Sequence, residues 1–478
     1  MTASKSKQQN RRTMMLDLPM HRLIPKMAVP TIVSMLVTTV YNFADTYFVS
    51  HLGTTATAAV GVNFSLDNLI MTAGSFLAVG ANSFIARLLG AKQDKKAAQV
   101  LSTAFFTAIF TGLFVMIAGL LFLEPLVRLL GATDTTVQYS MDYASFVLLA
   151  APFMASSFVL NHCLRSEGSA SFAMIGIAAG AVLNIALDPV FIFVFDLGVK
   201  GASIATALSK IVSFVILLTP YLRRHSLLYL SVRNIRYSRE IVTEVVKMGL
   251  PATLRSTLAT LSMIVLNRMA GAYSDSVLAG MSVVNRIIMF PTAAILGFGQ
   301  GFQPVAGFNW GARRYDRVYK GFNFASITAL IAGAVMGLLL AIFARPLIGL
   351  FSKTDAELIA IAVFSIRMQC LVKPLHSWGI VVNMLYSGLG KARGAAVLSV
   401  TRQGLFLIPM LLVLPVFFAE WGLASAQFAS DILSMTVIVP LCVIIVKEIR
   451  RNMRFSEAEK DLPIIESERV AYDSDNLS

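Results

Sequence analysis

Stretches of about twenty apolar residues follow one another from residue 24 to residue 447, each broken only by isolated polar side chains. A run of that length crosses a bilayer as a helix, at about 1.5 Å of rise per residue. The pattern predicts spans at 24–50, 58–85, 98–122, 137–161, 170–194 and 201–222, then at 243–270, 279–306, 320–344, 357–383, 394–418 and 423–447. The loops between them alternate in charge. RLLGAKQDKK, LRSEGSA, RRHSLLYLSVRNIRYSRE, GARRYDRVYK and GKARG are basic, whereas HLGTTATA, LGATDTT, DLGVK, AGAYSDS and AEWG hold almost no Lys or Arg. Basic loops are retained in the cytoplasm, so both termini are expected there.

The pattern also repeats. A shift of 221 carries Pro30 to Pro251, Gly80 to Gly301, Gly90-Ala91 to Gly311-Ala312, Pro125 to Pro346 and Thr133-Asp134 to Thr354-Asp355. Shifts of 222 and 224 carry Gly168 to Gly390 and Gly198 to Gly422. The expected fold is therefore an all-α polytopic membrane protein of twelve transmembrane helices. Its two six-helix bundles are related by a pseudo-two-fold axis along the membrane normal, because an even number of spans leaves both in the same orientation. The expected division is a cytoplasmic tail 1–22, a first bundle 23–222, a basic linker 223–242, a second bundle 243–447 and a cytoplasmic tail 448–478. Two such bundles enclose a cavity that can open to either side.

Composition agrees. Of 478 residues 56% are hydrophobic and 14% charged, where a soluble domain carries roughly 25% charged residues. The net charge of +14 sits in short loops and tails and is no sign of a nucleic-acid partner. Cys163, Cys370 and Cys442 lack metal-ligand or disulfide spacing and read as packing residues. The N-terminus has no signal-peptide core, and the polar tail after Arg454 is expected to be disordered. No Walker loop, HExxH or Ser/His arrangement appears, so neither an ATP-driven pump nor an enzyme is expected.

Against this apolar background a few buried polar residues stand out. In LNIALDPVFIF, Asn184 and Asp188 are one helical turn apart on one face, and Pro189 frees a backbone carbonyl and bends the helix. The first span carries a stripe of Thr38, Tyr41, Asn42 and Asp45; the sixth carries Ser203, Thr206 and Lys210. Counting about 1.5 Å per residue puts Asp45, Asp188 and Thr206 all in the outer half of the membrane. A carboxylate there costs several kcal/mol unless it is paired or functional, roughly 2.5–3.5 on insertion scales. Two carboxylates, an amide oxygen and a hydroxyl make a hard-oxygen cation site, for Na⁺ or for protons. Lys210 stands one turn from Thr206 and is placed to neutralise Asp188 or Asp45, which favours a proton cycle or a static salt bridge. A plain structural network tying three helices together is the alternative.

The second half is basic instead. Arg255, Arg367, Lys373, His376 and Arg402 lie within its spans, with Gln303 among the accompanying amides. No acidic partner is evident for them, so they are expected to line a water-filled cavity that receives an anionic or zwitterionic part of a substrate; residues bonded to backbone carbonyls or lying close to loops are the alternative.

The stretch VPTIVSMLVTTVYNFADTYFVSHLG, with RLLGAKQDKKAAQV and its echo FNWGARRYDRV, LRSEGSA, LNIALDPVFIF and DLGVKGASIATALS, resembles the multidrug and toxic compound extrusion (MATE) family over about residues 20–450. The resemblance is closest to the DinF-like branch, since neither the seventh nor the tenth span has an acidic residue in its interior. It implies a monomeric, V-shaped exporter of small organic compounds in the cell inner membrane. Inward Na⁺ or H⁺ movement drives it, and no cofactor is needed. It assigns the ion-coupling roles to Asp45, Asn184, Asp188 and Thr206, with Tyr41, Asn42 and Lys210 as supporting residues and bending at Pro30 and Pro189. A lipid-linked oligosaccharide flippase of related architecture is the second reading.

Overall fold

The computed structural model describes the backbone of residues 2–461 and the side chains of residues 9–457. Every regular element in that range is helical, as hydrocarbon requires of a chain that must satisfy its own backbone hydrogen bonds. Spans 1 to 9 are Met20–Ser50, Thr54–Gly90, Asp94–Leu121, Val137–Ser166, Ala170–Val194, Gly198–Leu222, Arg239–Gly271, Asp275–Gly311 and Tyr315–Gly349. Span 10 is a bent pair, Ala356–Leu371 and Lys373–Gly388, meeting at 54°. The remaining apolar segment, Ala392–Glu457, is 66 residues long and folds back on itself. Ala419 (φ 47°, ψ −135°) breaks it, Gly422 packs against the Leu414 carbonyl, and Ser430 Oγ donates to the Arg402 carbonyl. Spans 11 and 12 are therefore 392–418 and 420–461, which completes twelve crossings.

The repeat is written in side-chain bonds as well as in spacing. Asn161 Nδ2 donates to the Ala173 carbonyl at 3.1 Å, and Asn383 Nδ2 to the Ala395 carbonyl at 3.3 Å, pinning span 4 to span 5 and span 10 to span 11. Both ends of this bond move by 222 positions. Where the halves meet, the contact is reciprocal. A Cβ on Gly90 would run into the Phe308 carbonyl, and one on Gly311 into the Arg87 carbonyl. Those are the same two positions with the halves exchanged, as a two-fold axis demands. The close approach of spans 2 and 8 thus depends on glycine at both. Ser83 Oγ donates to the Ser387 carbonyl, Arg165 Nη1 to Gln300 Oε1 at 2.6 Å, and Arg87 Nη2 to Glu244 Oε2 at 2.6 Å. This seam lies toward the end that carries the termini.

Two differences from the sequence-based expectation concern the ends. Residues 1–22 are more than a tail. A helix, Thr2–Asp17, precedes span 1; its Met14 and Met15 pack on the Gly168 turn, and Asn309 Nδ2 donates to the Met15 carbonyl at 3.2 Å. Span 12 runs past Arg454 to Asp461, where disorder was expected, because its helix simply continues; residues 462–478 lie outside the described residues. Cys163, Cys370 and Cys442 are buried and unpaired.

Candidate ion-coupling site and the polar clusters of the second half

In the first half, packing brings the polar stripes together. Span 1 packs against span 5, and span 5 against span 6. Asn184 links the latter two: its Nδ2 donates to Asp188 Oδ1 at 3.2 Å and to Thr206 Oγ1 at 3.2 Å. All three residues are essentially inaccessible. Pro189 has no N–H to continue the ladder, and the chain widens directly after it into a π turn, Val190–Val194. Gly201 backs onto the Phe191 carbonyl there, which brings the start of span 6 close to span 5. From span 1, Asp45 and Tyr41 are buried against this pair, and Asp45 lies within electrostatic range of Asp188. Asn42 is only partly buried. The Thr38 hydroxyl returns to the Ser34 carbonyl of its own helix at 2.8 Å. Span 1 runs unbroken through Pro30.

Lys210 faces one of the two carboxylates expected for it, Asp45, and a second that was not expected. Its Nζ lies 4.7 Å from the centre of the Tyr41 ring, a cation–π placement. The carboxylates in its electrostatic range are Asp67 and Asp45, not Asp188. Asp67 comes from span 2 and completes a group that the sequence reading lacked. Tyr143, from span 4, is the other addition; it is buried and lies near Thr206. An acid about 13 residues into an apolar span was the available signal for Asp67, at a depth of about 20 Å; Tyr143 had none.

The electrostatics follow from this grouping. Three carboxylates and one ammonium share a low-dielectric region, so two negative charges are in excess when all are ionised. Asp45 Oδ1, Asp67 Oδ1, Asn184 Oδ1 and Asp188 Oδ2 are buried without a hydrogen-bond partner among the described residues. Unpartnered buried oxygens are costly, and a small cation or a proton is what such a set accepts. The donor set, all oxygen, suits a hard monovalent ion. Among the described residues no three His, Cys, Asp or Glu side chains converge as a transition-metal site would require.

The second half corrects the expectation of cations without acidic partners. Asp431, on span 12 and only 3% exposed, takes Arg402 Nε on Oδ1 at 2.5 Å and Gln427 Nε2 at 3.2 Å. Lys373, expected to line a water-filled cavity, begins the second segment of span 10. It is instead buried, donating to Thr292 Oγ1 at 3.1 Å. His376 is buried beside Lys373 and Arg402. Arg255 and Gln303 sit apart from these, in a polar pocket at the seam with His162, Gln300 and Asn383. Arg367 is exposed and joins neither group. The five residues proposed for one cavity wall thus fall into three places.

Twelve crossings in two repeated halves, with unpartnered buried acids in one and a seam between them, define a membrane transporter rather than an enzyme. Comparison with known proteins supplies the family. The MatE family model matches residues 30–190 and again 251–413, one copy per half. The chain belongs to the MatE family. A multidrug export protein MepA from Staphylococcus saprophyticus is 28% identical over 90% of this chain and 94% of its own length. A solved outward-facing conformation of a multidrug resistance MATE transporter of the MOP superfamily superposes with a TM-score of 0.86 at 25% identity, covering 91% of this chain and 98% of the other. A MOP superfamily transporter from Pyrococcus furiosus, described as having a binding pocket of reverse polarity, superposes at 0.85 with 26% identity, covering 92% and 98%.

Proposed function

We propose that this protein is a monomeric secondary active exporter of small organic compounds, multidrug efflux among them, driven by antiport of Na⁺ or H⁺. The observation that carries the reading is the set of unpartnered buried oxygens on Asp45, Asp67, Asn184 and Asp188. Span 1, which contributes Asp45, also builds the seam with the second half. Gly301 packs on Ala28, Gly297 on Ile32, and Phe43 stacks on Phe290 with ring centres 5.4 Å apart. Loading a cation or proton removes the repulsion among the carboxylates and lets span 1 settle toward span 5. Because span 1 is held by span 8, that movement changes the opening between the halves. The coupling is the difference in ion affinity between the two arrangements. Thr206 supplies a further oxygen, Tyr41, Asn42 and Lys210 support the group, and Pro30 and Pro189 are the positions at which the helices flex during the cycle.

The bundles are 23–222 and 243–447, joined by the linker 223–242. The basic loops support a cytoplasmic location for the end carrying the termini, and the membrane of this reading is a cell inner membrane. The lack of acidic residues in the middle of spans 7 and 10, beyond their opening turns, supports the DinF-like branch. Arg255 and Gln303 at the seam suit an anionic or zwitterionic part of the substrate.

Proteoliposomes with an imposed Na⁺ or pH gradient test this. The Asp45→Asn, Asp188→Asn double variant is expected to lose gradient-driven export by roughly tenfold or more, while still binding a fluorescent substrate. Export equal to the parent's would end the proposal, and whichever gradient drives the parent names the ion.

A further inference from the structure

At the end that carries the termini, a hollow of about 610 Å³ opens between the start of span 1 and the start of span 9. His21, Arg314, Arg317 and Lys320 line it, against Asp17 and Asp316. Arg317 is held in place: its Nε donates to Asn309 Oδ1 at 2.9 Å and its Nη2 to the Leu18 carbonyl at 2.7 Å. The two carboxylates lie within its electrostatic range. Arg314 and Lys320 are exposed. With His21 neutral, three cations against two acids leave one positive charge in excess.

The hollow continues into the lipid-facing surface. Phe324 forms part of its wall. Lys320, Phe324, Ile327 and Ile331 recur at helical spacing on one face of span 9. Ile327 and Ile331 are 58% and 60% exposed, which in a membrane-spanning helix means contact with acyl chains. A cationic recess thus stands at the head of an apolar track, on the polar boundary of the membrane. Basic pockets of this kind between spans hold lipid headgroups.

We propose that this hollow binds the phosphodiester of an anionic membrane phospholipid, with an acyl chain along Phe324, Ile327 and Ile331. One excess positive charge matches one phosphodiester. The site joins the first half to the second, since span 1 belongs to one and span 9 to the other. A bound lipid therefore stabilises the arrangement in which the N-terminal segment is docked.

The test is native mass spectrometry of the full-length protein released from nanodiscs of equal phosphatidylglycerol and phosphatidylcholine. The parent is expected to retain phosphatidylglycerol preferentially. Lys320→Gln is expected to cut that preference roughly fivefold, and Arg314→Gln with Lys320→Gln by roughly the square of that, at about 1 kcal/mol per cation near a charged surface. Both side chains are exposed, so the fold is not at risk. Arg345→Gln, at the opposite end of span 9, is expected to leave the preference unchanged. Unaltered preference in the double variant would overturn the proposal. So would an equal loss in Arg345→Gln, which would mark a general charge effect. Displacement of the lipid by inorganic phosphate would also overturn it, by showing a free-anion site.

Discussion

Asp45, Asp67, Asn184 and Asp188 of the first half stand where the repeat places Leu266, Ile288, Phe406 and Met410 in the second. In return, Lys373, Arg402 and Asp431 stand where the first half has Ala151, Gly180 and Ala207. The exchange is nearly complete, yet the scaffold is the same. Asn161 and Asn383 make equivalent bonds, and Gly90 and Gly311 make equivalent close approaches. Backbone geometry is held in both halves because helix packing tolerates little change in volume. The ionisable clusters are under no such constraint and differ in kind. The first half leaves oxygens without partners, whereas the second closes its charges on one another through Asp431.

If that contrast is right, breaking the second cluster is a matter of stability. Asp431→Asn leaves the Arg402 charge half-buried and unpaired, and is expected to cost about 3–5 kcal/mol, read as a fall in melting temperature in detergent. Replacing both residues by Leu is expected to recover most of that loss. A double variant that stays as unstable as the single one would show that the pair holds more than each other.

Next in size is a pH effect confined to the first half. Glu167, just beyond span 4, is inaccessible and accepts from Tyr221 Oη at 3.1 Å, the Leu227 N–H at 2.7 Å and Ser226 Oγ. Leu389, also buried, holds the equivalent position in the second half. Burial outweighs those donors and raises the Glu167 carboxyl to about 7. A carboxyl raised in the folded state adds stability that is fully present below its unfolded value near 4.5 and is lost as pH rises through about 7. Melting temperature is therefore expected to fall between about pH 5 and pH 8, and to fall less in Glu167→Gln. Equal slopes in both proteins would refute this.

The smallest effect sharpens the symmetry itself. Asn161→Ala removes one side-chain bond to a neighbouring span, whereas Asn383→Ala removes two, to the Ala395 carbonyl and to Ser399 Oγ; the expected costs are about 1 and about 2 kcal/mol. Equal losses in thermal unfolding would mean that the bond to Ser399 adds nothing to the shared one.

Apolar run length and the 221-residue echo were enough to read twelve helices and two halves from the chain. A backbone in hydrocarbon has almost no alternative to the helix, and a repeated register leaves its Pro and Gly in step. Asn184, Asp188 and Thr206 were legible for a similar reason. The first two share a helical face by spacing alone, and depth follows from counting residues. Asp67, Tyr143 and Asp431 were not, nor was Lys210's preference for Asp67 over Asp188. Each depends on which face of one helix turns toward another, and spacing within a helix says nothing of its rotation against a neighbour. That rotation is set by many small contacts at once, such as glycine against carbonyl in the seam. The helices themselves are local and forced, while the meeting of their charges is a property of the packed whole.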